Sequence, residues 1–193
     1  MRITIIQGHP DPSEGHLGHA LAEAYAAAAG QAGHEMRFLR VAGMDFDFVR
    51  SKIDWDNGEP PECIRVAQEA ITWAQHLVVV YPLWLGSMPA LLKAFLEQTL
   101  RPGFATSRAG AGTTWKKLLG GRSARIVVTM GMPAFVYRWY FGAHSLKNLE
   151  RNILKFCGIG PIRASLIGRV ETMGSHARER CLAKMRLLGA KSQ

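Results

Sequence analysis

Residues 77–100, LVVVYPLWLGSMPALLKAFLEQTL, decide the fold. Leu77 to Tyr81 is an unbroken apolar run rich in valine, the pattern of a strand buried on both faces of a parallel sheet. Pro82 ends it. A short loop, Pro82-Leu83-Trp84-Leu85-Gly86, follows, and Ser87 is placed to cap a helix with Pro89 in its first turn. Leu91, Leu92, Phe95, Leu96 and Leu100 recur at helical spacing and give that helix one apolar face. The unit is strand, loop, helix, with the loop at the carboxyl end of the strand, where open α/β sheets take their ligands. This loop is apolar and aromatic where a surface loop is ordinarily polar. Trp84 and Leu85 therefore call for a flat apolar group to cover them.

Outward from this unit, composition sets the bounds. The chain has 193 residues, 48% apolar and 20% charged, which fits a single globular domain spanning 1–193. Pro82, Pro89, Gly86 and Lys93 argue against a membrane span in the one long apolar stretch. The opening MRITIIQGHP is too short an apolar run for a signal peptide and reads as a first strand. Cys63, Cys157 and Cys181 are odd in number and widely spaced, with no metal-ligating pattern, so reduced thiols and a cytoplasmic location are expected. The net charge of +9 is unevenly spread: residues 1–100 carry 7 basic and 12 acidic side chains, residues 101–193 carry 17 and 3. The basic half reads as a solvated face, or as an attractor of anionic cofactors or of a membrane surface. No recognition helix or RNP-type motif supports nucleic acid.

In chain order, RITIIQ (2–7) is a first strand and GHPDPSEG (8–15) a loop too rich in Pro and Gly for regular structure. His16 to Ala29 is an alanine-rich helix. Its N-terminus faces the loop, which makes an anion site by geometry, although no G-x-G-x-x-G is present. EMRFLRV (35–41) is the second strand. Residues 44–61 form a long connection without a convincing helix, pinned by Phe46, Phe48 and Trp55. Glu62 to Ala74 is a helix. A Ser/Gly/Thr-rich loop runs from Arg101 to Thr114, and a short turn spans Lys116 to Gly121. ARIVVTM (124–130) is the fourth strand, and Gly131 sits where the backbone turns sharply. AFVYRWYFGAHSL (134–146) packs five aromatics into eight residues, more than a core needs, and suggests a loop that stacks on a planar substrate. Leu146 to Cys157 is a helix, Pro161 to Gly168 the fifth strand, and Ser175 to Leu188 a basic terminal helix. Five βα units with right-handed crossovers predict a flavodoxin-like α/β fold, a five-stranded parallel sheet of order 2-1-3-4-5 with helices on both faces.

The segment YPLWLGSMPALLKAFLE (81–97) resembles the flavin loop and following helix of the NAD(P)H:quinone oxidoreductase family, the DT-diaphorase type. The pattern is shared with flavodoxin-like relatives that assist glutathione-gated potassium efflux. Gly103-Phe104-Ala105 and the stretch 129–144 extend the resemblance. It implies a bound flavin. His9, His16, Leu17 and Gly18 would lie at its phosphates, although His16-Leu17-Gly18 departs from the family's usual triplet. Pro82, Leu83, Trp84, Leu85 and Gly86 would flank the ring, and Thr129, Met130, Gly131 and Met132 its pyrimidine edge. Arg178 resembles the Arg that FAD-binding members place near the adenine, so FAD is expected, with FMN as the alternative and NAD(P)H as electron donor.

The family shares the charge of the reduced flavin between a Tyr and a His. Tyr137 and His144 match them, one residue further apart than usual, with Tyr140 competing for the phenol. The implied function is two-electron reduction of quinones or similar planar acceptors, by a homodimer. The alternative is a flavin-binding regulatory subunit that contacts a membrane potassium efflux protein.

Overall fold

A computed structural model describes residues 1–108 and 115–193. Five parallel strands form its centre: β1 (Arg2–Gln7), β2 (Glu35–Arg40), β3 (His76–Pro82), β6 (Ser123–Thr129) and β7 (Ile162–Ile167). Their order is β2-β1-β3-β6-β7, which in terms of the five sheet strands is 2-1-3-4-5, as the sequence predicts. A separate two-stranded hairpin pairs β4 (Thr106–Arg108) with β5 (Trp115–Lys117) antiparallel. The expected loop 101–114 thus contains strand at Thr106–Arg108, and the turn expected over Lys116 to Gly121 begins in strand, since Lys116 and Lys117 belong to β5. The stretch 109–114 of that loop lies outside the described residues.

Burial explains why the middle strands are apolar throughout. All seven residues of β3 are buried. Ile3, Ile5, Val78, Val80 and Val127 face one layer, made of α1 (Leu17–Gln31) and α8 (Ser175–Ala190). Ile6, Leu77, Val79, Tyr81, Ile126 and Val128 face the other. That layer contains α3 (Glu62–Trp73), α4 (Ala90–Thr99) and the helical run His144–Cys157. The period of two along each strand sends alternate side chains to opposite cores. The helical run opens as α6 (His144–Lys147), passes through a π-helical middle (Asn148–Leu154) and closes as α7 (Lys155–Cys157). No described helix is long and apolar enough to cross a membrane.

Three local expectations are corrected. Ser87 does not cap α4: it exchanges two backbone hydrogen bonds with Trp84, both 2.9 Å, and Pro89 holds the cap position. The turn between them carries Leu85 (φ 46°) and Gly86 (φ 74°), two left-handed residues in succession, as a two-residue hairpin turn requires. The 44–61 connection contains a short helix, α2 (Lys52–Asn57), capped by the Ser51 hydroxyl, which accepts from Asp54 N–H. Of the aromatics expected to pin this segment, Phe46 packs on Phe95, but Phe48 is exposed. Buried Arg101 does more, donating to Asp54 and to the Gly58 carbonyl. The aromatic stretch after β6 is not a loop throughout: Ala134–Trp139 is a helix, α5.

Helices α1 and α8 cross closely because Gly189 has no side chain. A Cβ there would stand 2.2 Å from the Tyr25 carbonyl oxygen. Gly189→Ala would gain about 1 kcal/mol of helix propensity but incur an overpacking cost of about 1–3 kcal/mol. Urea denaturation is therefore expected to give a lower midpoint for Gly189→Ala; a raised midpoint would mean that the helices part freely.

Candidate functional site

The strand order puts the switch in chain direction between β1 and β3. Above their carboxyl ends lies a cavity of about 330 Å³, at the lower end of the usual range for small-molecule sites. Four segments build it. The loop after β1 contributes His9 and Asp11 and leads to His16, Leu17 and Gly18 at the start of α1. The loop after β3 contributes Pro82, Leu83 and Trp84. The end of β6 contributes Thr129, Met130 and Gly131, and the loop after β7 contributes Val170 and Glu171.

Backbone hydrogen bonds tie these segments together. Gly8 N–H donates to the Val80 carbonyl (2.8 Å) and Leu83 N–H to that of Thr129 (2.7 Å). Val170 N–H donates to Met130 (3.2 Å) and Arg169 N–H to Met132 (3.1 Å). Among the described residues, the N–H groups of Leu17, Gly18 and Gly131, which line the cavity, and of Met132, next in the chain, have no acceptor. At Gly18 an added Cβ would meet only Val80, at 3.9 Å, so packing does not demand glycine there and the space on the cavity side is open.

The loop after β1 is a histidine cluster. His9 and His16 stack with centroids 4.0 Å apart, and His19 lies 5.2 Å from His9. His9 is buried, and its Nδ1 accepts from Asp11 N–H at 3.1 Å. Burial, followed by the fields of His16 and His19, lowers the pKa of His9 below the ordinary imidazole value. Asp11 accepts from Ser13 N–H (2.8 Å) and meets His16 Nε2 (2.9 Å). Hydrogen bonds from Ser13, and then from His16, hold its carboxyl well below the usual carboxylate range. Among the described residues no group of three His, Cys, Asp or Glu is arranged to hold a metal ion.

The expected site residues divide into groups. Ten of them line the cavity: His9, His16, Leu17, Gly18, Pro82, Leu83, Trp84, Thr129, Met130 and Gly131. Leu85 and Gly86 form the turn tip beyond it, with Leu85 fully exposed. Met132 packs against the core. Arg178 borders a second cavity of about 470 Å³ on the other side of the same loop, together with Leu182, Glu23 and Arg40. His16 and Leu17 line both cavities. Arg178 also donates to the Val170 and Met173 carbonyls and so braces the loop that carries Glu171.

Tyr137 and His144 are not on the cavity wall. Tyr137 is 1% exposed, and its hydroxyl accepts from Leu146 N–H at 3.0 Å. Burial raises its pKa. His144 is exposed, with its ring over Gly142. Helix geometry turns Tyr137 inward and leaves Phe135, Trp139 and Tyr140 in solvent, so the stacking wall expected from Phe135, Tyr137 and Tyr140 is not formed within one chain.

Sequence reasoning missed Asp11, Val170 and Glu171. The Glu171 carboxylate lies over Gly131, where a Cβ would be 3.1 Å from its Oε1. Nothing in Arg-Val-Glu-Thr signals this, but the fifth strand must end beside the fourth, and the loop that follows was a candidate on topology alone.

A family profile described as the flavodoxin-like fold matches residues 1–187. The chain belongs to this family. It is 27% identical over 197 residues to a Haemophilus influenzae protein named as an uncharacterized NAD(P)H oxidoreductase, covering 100% of this chain and 95% of that one. The potassium-efflux ancillary protein KefG of Escherichia coli is 35% identical over 82 residues, 42% of each chain. Among solved structures, an NAD(P)H:quinone oxidoreductase from Methanothermobacter marburgensis superposes with a TM-score of 0.79 at 21% identity, covering 100% of this chain and 99% of that one. An FMN-dependent NADH-azoreductase from Bacillus anthracis, in complex with FMN, gives 0.77 at 15%, with the same coverage.

The inward phenol makes a structural prediction. Tyr137→Phe leaves the buried Leu146 N–H without its acceptor, which costs about 1–3 kcal/mol. Chemical denaturation should show that loss, and wild-type stability in the variant would place the hydroxyl outside the network.

Proposed function

We propose that this protein is an NAD(P)H-dependent flavin oxidoreductase that delivers two electrons to quinones or similar planar acceptors. The observation that carries the reading is the single cavity shared by an apolar strip, a helix N-terminus and two sets of free backbone donors. Such a mixture suits a ligand with a flat ring at one end and phosphate at the other. The full-length relationship to an NAD(P)H oxidoreductase supports it. The potassium-efflux reading has similarity over less than half the chain and is the weaker one.

The residues present fit a flavin. Leu17 and Gly18 N–H, with the positive end of the α1 dipole, would hold the phosphate. Pro82, Leu83 and Trp84 would lie along the ring. The pyrimidine edge of an isoalloxazine presents a carbonyl, an N–H and a carbonyl in turn. Gly131 and Met132 N–H are donors for carbonyls, and Glu171 is an acceptor for the N–H between them. When bound, the flavin supplies the exchange of a hydride equivalent between donor and acceptor. The protein contributes orientation and backbone dipoles where negative charge develops. Tyr137, bonded to Leu146, would act by fixing the turn that presents His144. We favour FAD over FMN because the second cavity, with Arg178 and Leu182, begins where the phosphate site ends at His16 and Leu17. A cytoplasmic location follows from the need for NAD(P)H and accords with the free thiols of Cys63, Cys157 and Cys181.

Purified protein is expected to carry noncovalent flavin, released as FAD on heating, and to reduce a quinone with NADH or NADPH. A colourless protein that takes up no added flavin overturns the reading. Trp84→Ala should weaken flavin retention more than Tyr137→Phe, since losing a large aromatic contact costs on the order of 1–3 kcal/mol. Equal weakening would mean that the ring lies elsewhere.

The second half of the proposal is a homodimer. Phe135, Trp139, Tyr140 and Phe141 are exposed on the segment that follows Gly131 of the cavity wall, and Leu85 is exposed in the turn that follows Trp84. A second copy would bury them and close the cavity with aromatics that one chain does not supply. Sedimentation at micromolar concentration should give twice the 21.3 kDa chain mass; a monomer with full activity removes this part.

A further inference from the structure

The histidine cluster has more titratable groups than an anion site needs. A helix N-terminus with free Leu17 and Gly18 donors already attracts phosphate. Here three imidazoles stand around that position. His9 is 93% buried by its 7% exposure, borders the cavity and uses Nδ1 on Asp11, while its Nε2 has no partner among the described residues. His16 is the residue before α1, and its ring stacks on that of His9. His19 Nε2 meets the Asp11 carbonyl at 3.0 Å.

We infer that this cluster couples phosphate binding to proton uptake, so that the protein holds phosphate-bearing flavins more tightly as the pH falls. The inference rests on the flavin reading for its physiological ligand, but its physics needs only an anion in the loop. Two neighbouring imidazolium ions repel one another, which disfavours full protonation of the empty cluster. An anion set between them and the helix N-terminus reverses that preference. Each proton taken up on binding makes affinity rise up to about tenfold per pH unit within the window where the histidines titrate.

The other charges facing the cluster do not cancel this. Asp11 is engaged by Ser13 and His16 and stays ionised throughout the range. From α1, Glu23 is paired with Arg40 of β2 at 2.7 Å. Arg178 of α8 is a fixed cation, and Glu14 lies on the outer side of the loop. Glu171 stands at the Gly131 end of the first cavity. The 82–84 segment brings no charge, only Trp84, edge-on to His9 at 6.1 Å. Imidazole is the side-chain type whose ordinary charge change falls near neutral pH, so the three histidines are the groups through which an anion here would be linked to proton uptake.

Two measurements on the full chain, freed of cofactor, test this. The first follows the histidine ring signals by NMR against pH, with and without inorganic pyrophosphate. The midpoints of at least two cluster histidines should rise when it is added, and His16→Gln should diminish the rise in the remaining two. The second titrates FAD and riboflavin at pH 6 and pH 8. FAD should bind about tenfold tighter at pH 6 than at pH 8, as for an average uptake of about half a proton on binding. Riboflavin, which lacks the phosphate, should show no such change. Midpoints unmoved by pyrophosphate overturn the inference, as does FAD affinity that is independent of pH or matched by riboflavin. Failure of both flavins to bind, with midpoints still raised by pyrophosphate, overturns the flavin reading and leaves the anion-proton coupling standing.

Discussion

Pairing of β3 on both edges is the constraint on which the cavity depends. Ile3 to Gln7 run beside His76 to Val80, and His76 to Pro82 beside Ser123 to Thr129. This fixes three strand ends at one level. The loop after β1 leaves beside Val80, and the loop after β3 leaves beside Thr129. A slip of one residue would exchange the two cores, bringing Val78 and Val80 to the side that now holds Val79 and Tyr81. Val78 and Val80 would then have to fit a core shaped around Val79 and Tyr81, an overpacking or cavity cost of about 1–3 kcal/mol per site, so side-chain fit holds the register along with the backbone pairing. The loops can therefore carry poorly satisfied groups: free N–H donors, a crowded histidine cluster and a left-handed leucine.

Leu85 shows the cost most plainly. A non-glycine residue at positive φ costs about 1–2 kcal/mol, and here it also leaves a leucine fully exposed. Gly86 takes its left-handed position without penalty. The paired Trp84–Ser87 backbone hydrogen bonds hold the turn in this conformation, with Trp84 on the cavity wall. Backbone strain of this sort persists where surrounding structure over-determines it and is concentrated at functional sites.

Much of this was legible in the sequence. The valine run gave β3 because parallel strands buried on both faces need no polar alternation, and the strand order followed from economy of crossovers. The loops after β1, β3 and β6 were legible because strand ends are marked by Pro and Gly, and their individual cavity residues followed from the family resemblance. Errors arose where two readings share one local pattern. Ser87 before Pro89 looks like a cap, but a hairpin turn uses the same serine as a pairing residue. Five aromatics after Pro133 look like a loop reaching for a ligand, but their spacing also permits a helix with one ring inward, and Tyr137 is that ring. Glu171 and Val170 were invisible because their role comes from β7 lying beside β6, a tertiary fact without a local signature.

The inward turn of Tyr137 changes what the aromatic segment can do. With its hydroxyl held on Leu146 N–H, the phenol links α5 to α6 across Gly142 and Ala143, both at positive φ. That turn reverses the chain within four residues, which is why α6 can begin at His144, two residues before the helix expected from sequence. The other four rings are then left on the outer surface of α5 and the turn beyond it. Phe135 and Trp139 stand two residues either side of Tyr137 and so point about 200° away from it, while Tyr140 and Phe141 follow the end of α5 and are exposed there. Among the described residues nothing covers this apolar surface. In the proposed homodimer, the same geometry that withdraws Tyr137 from the cavity would leave the exposed rings for a second subunit to cover.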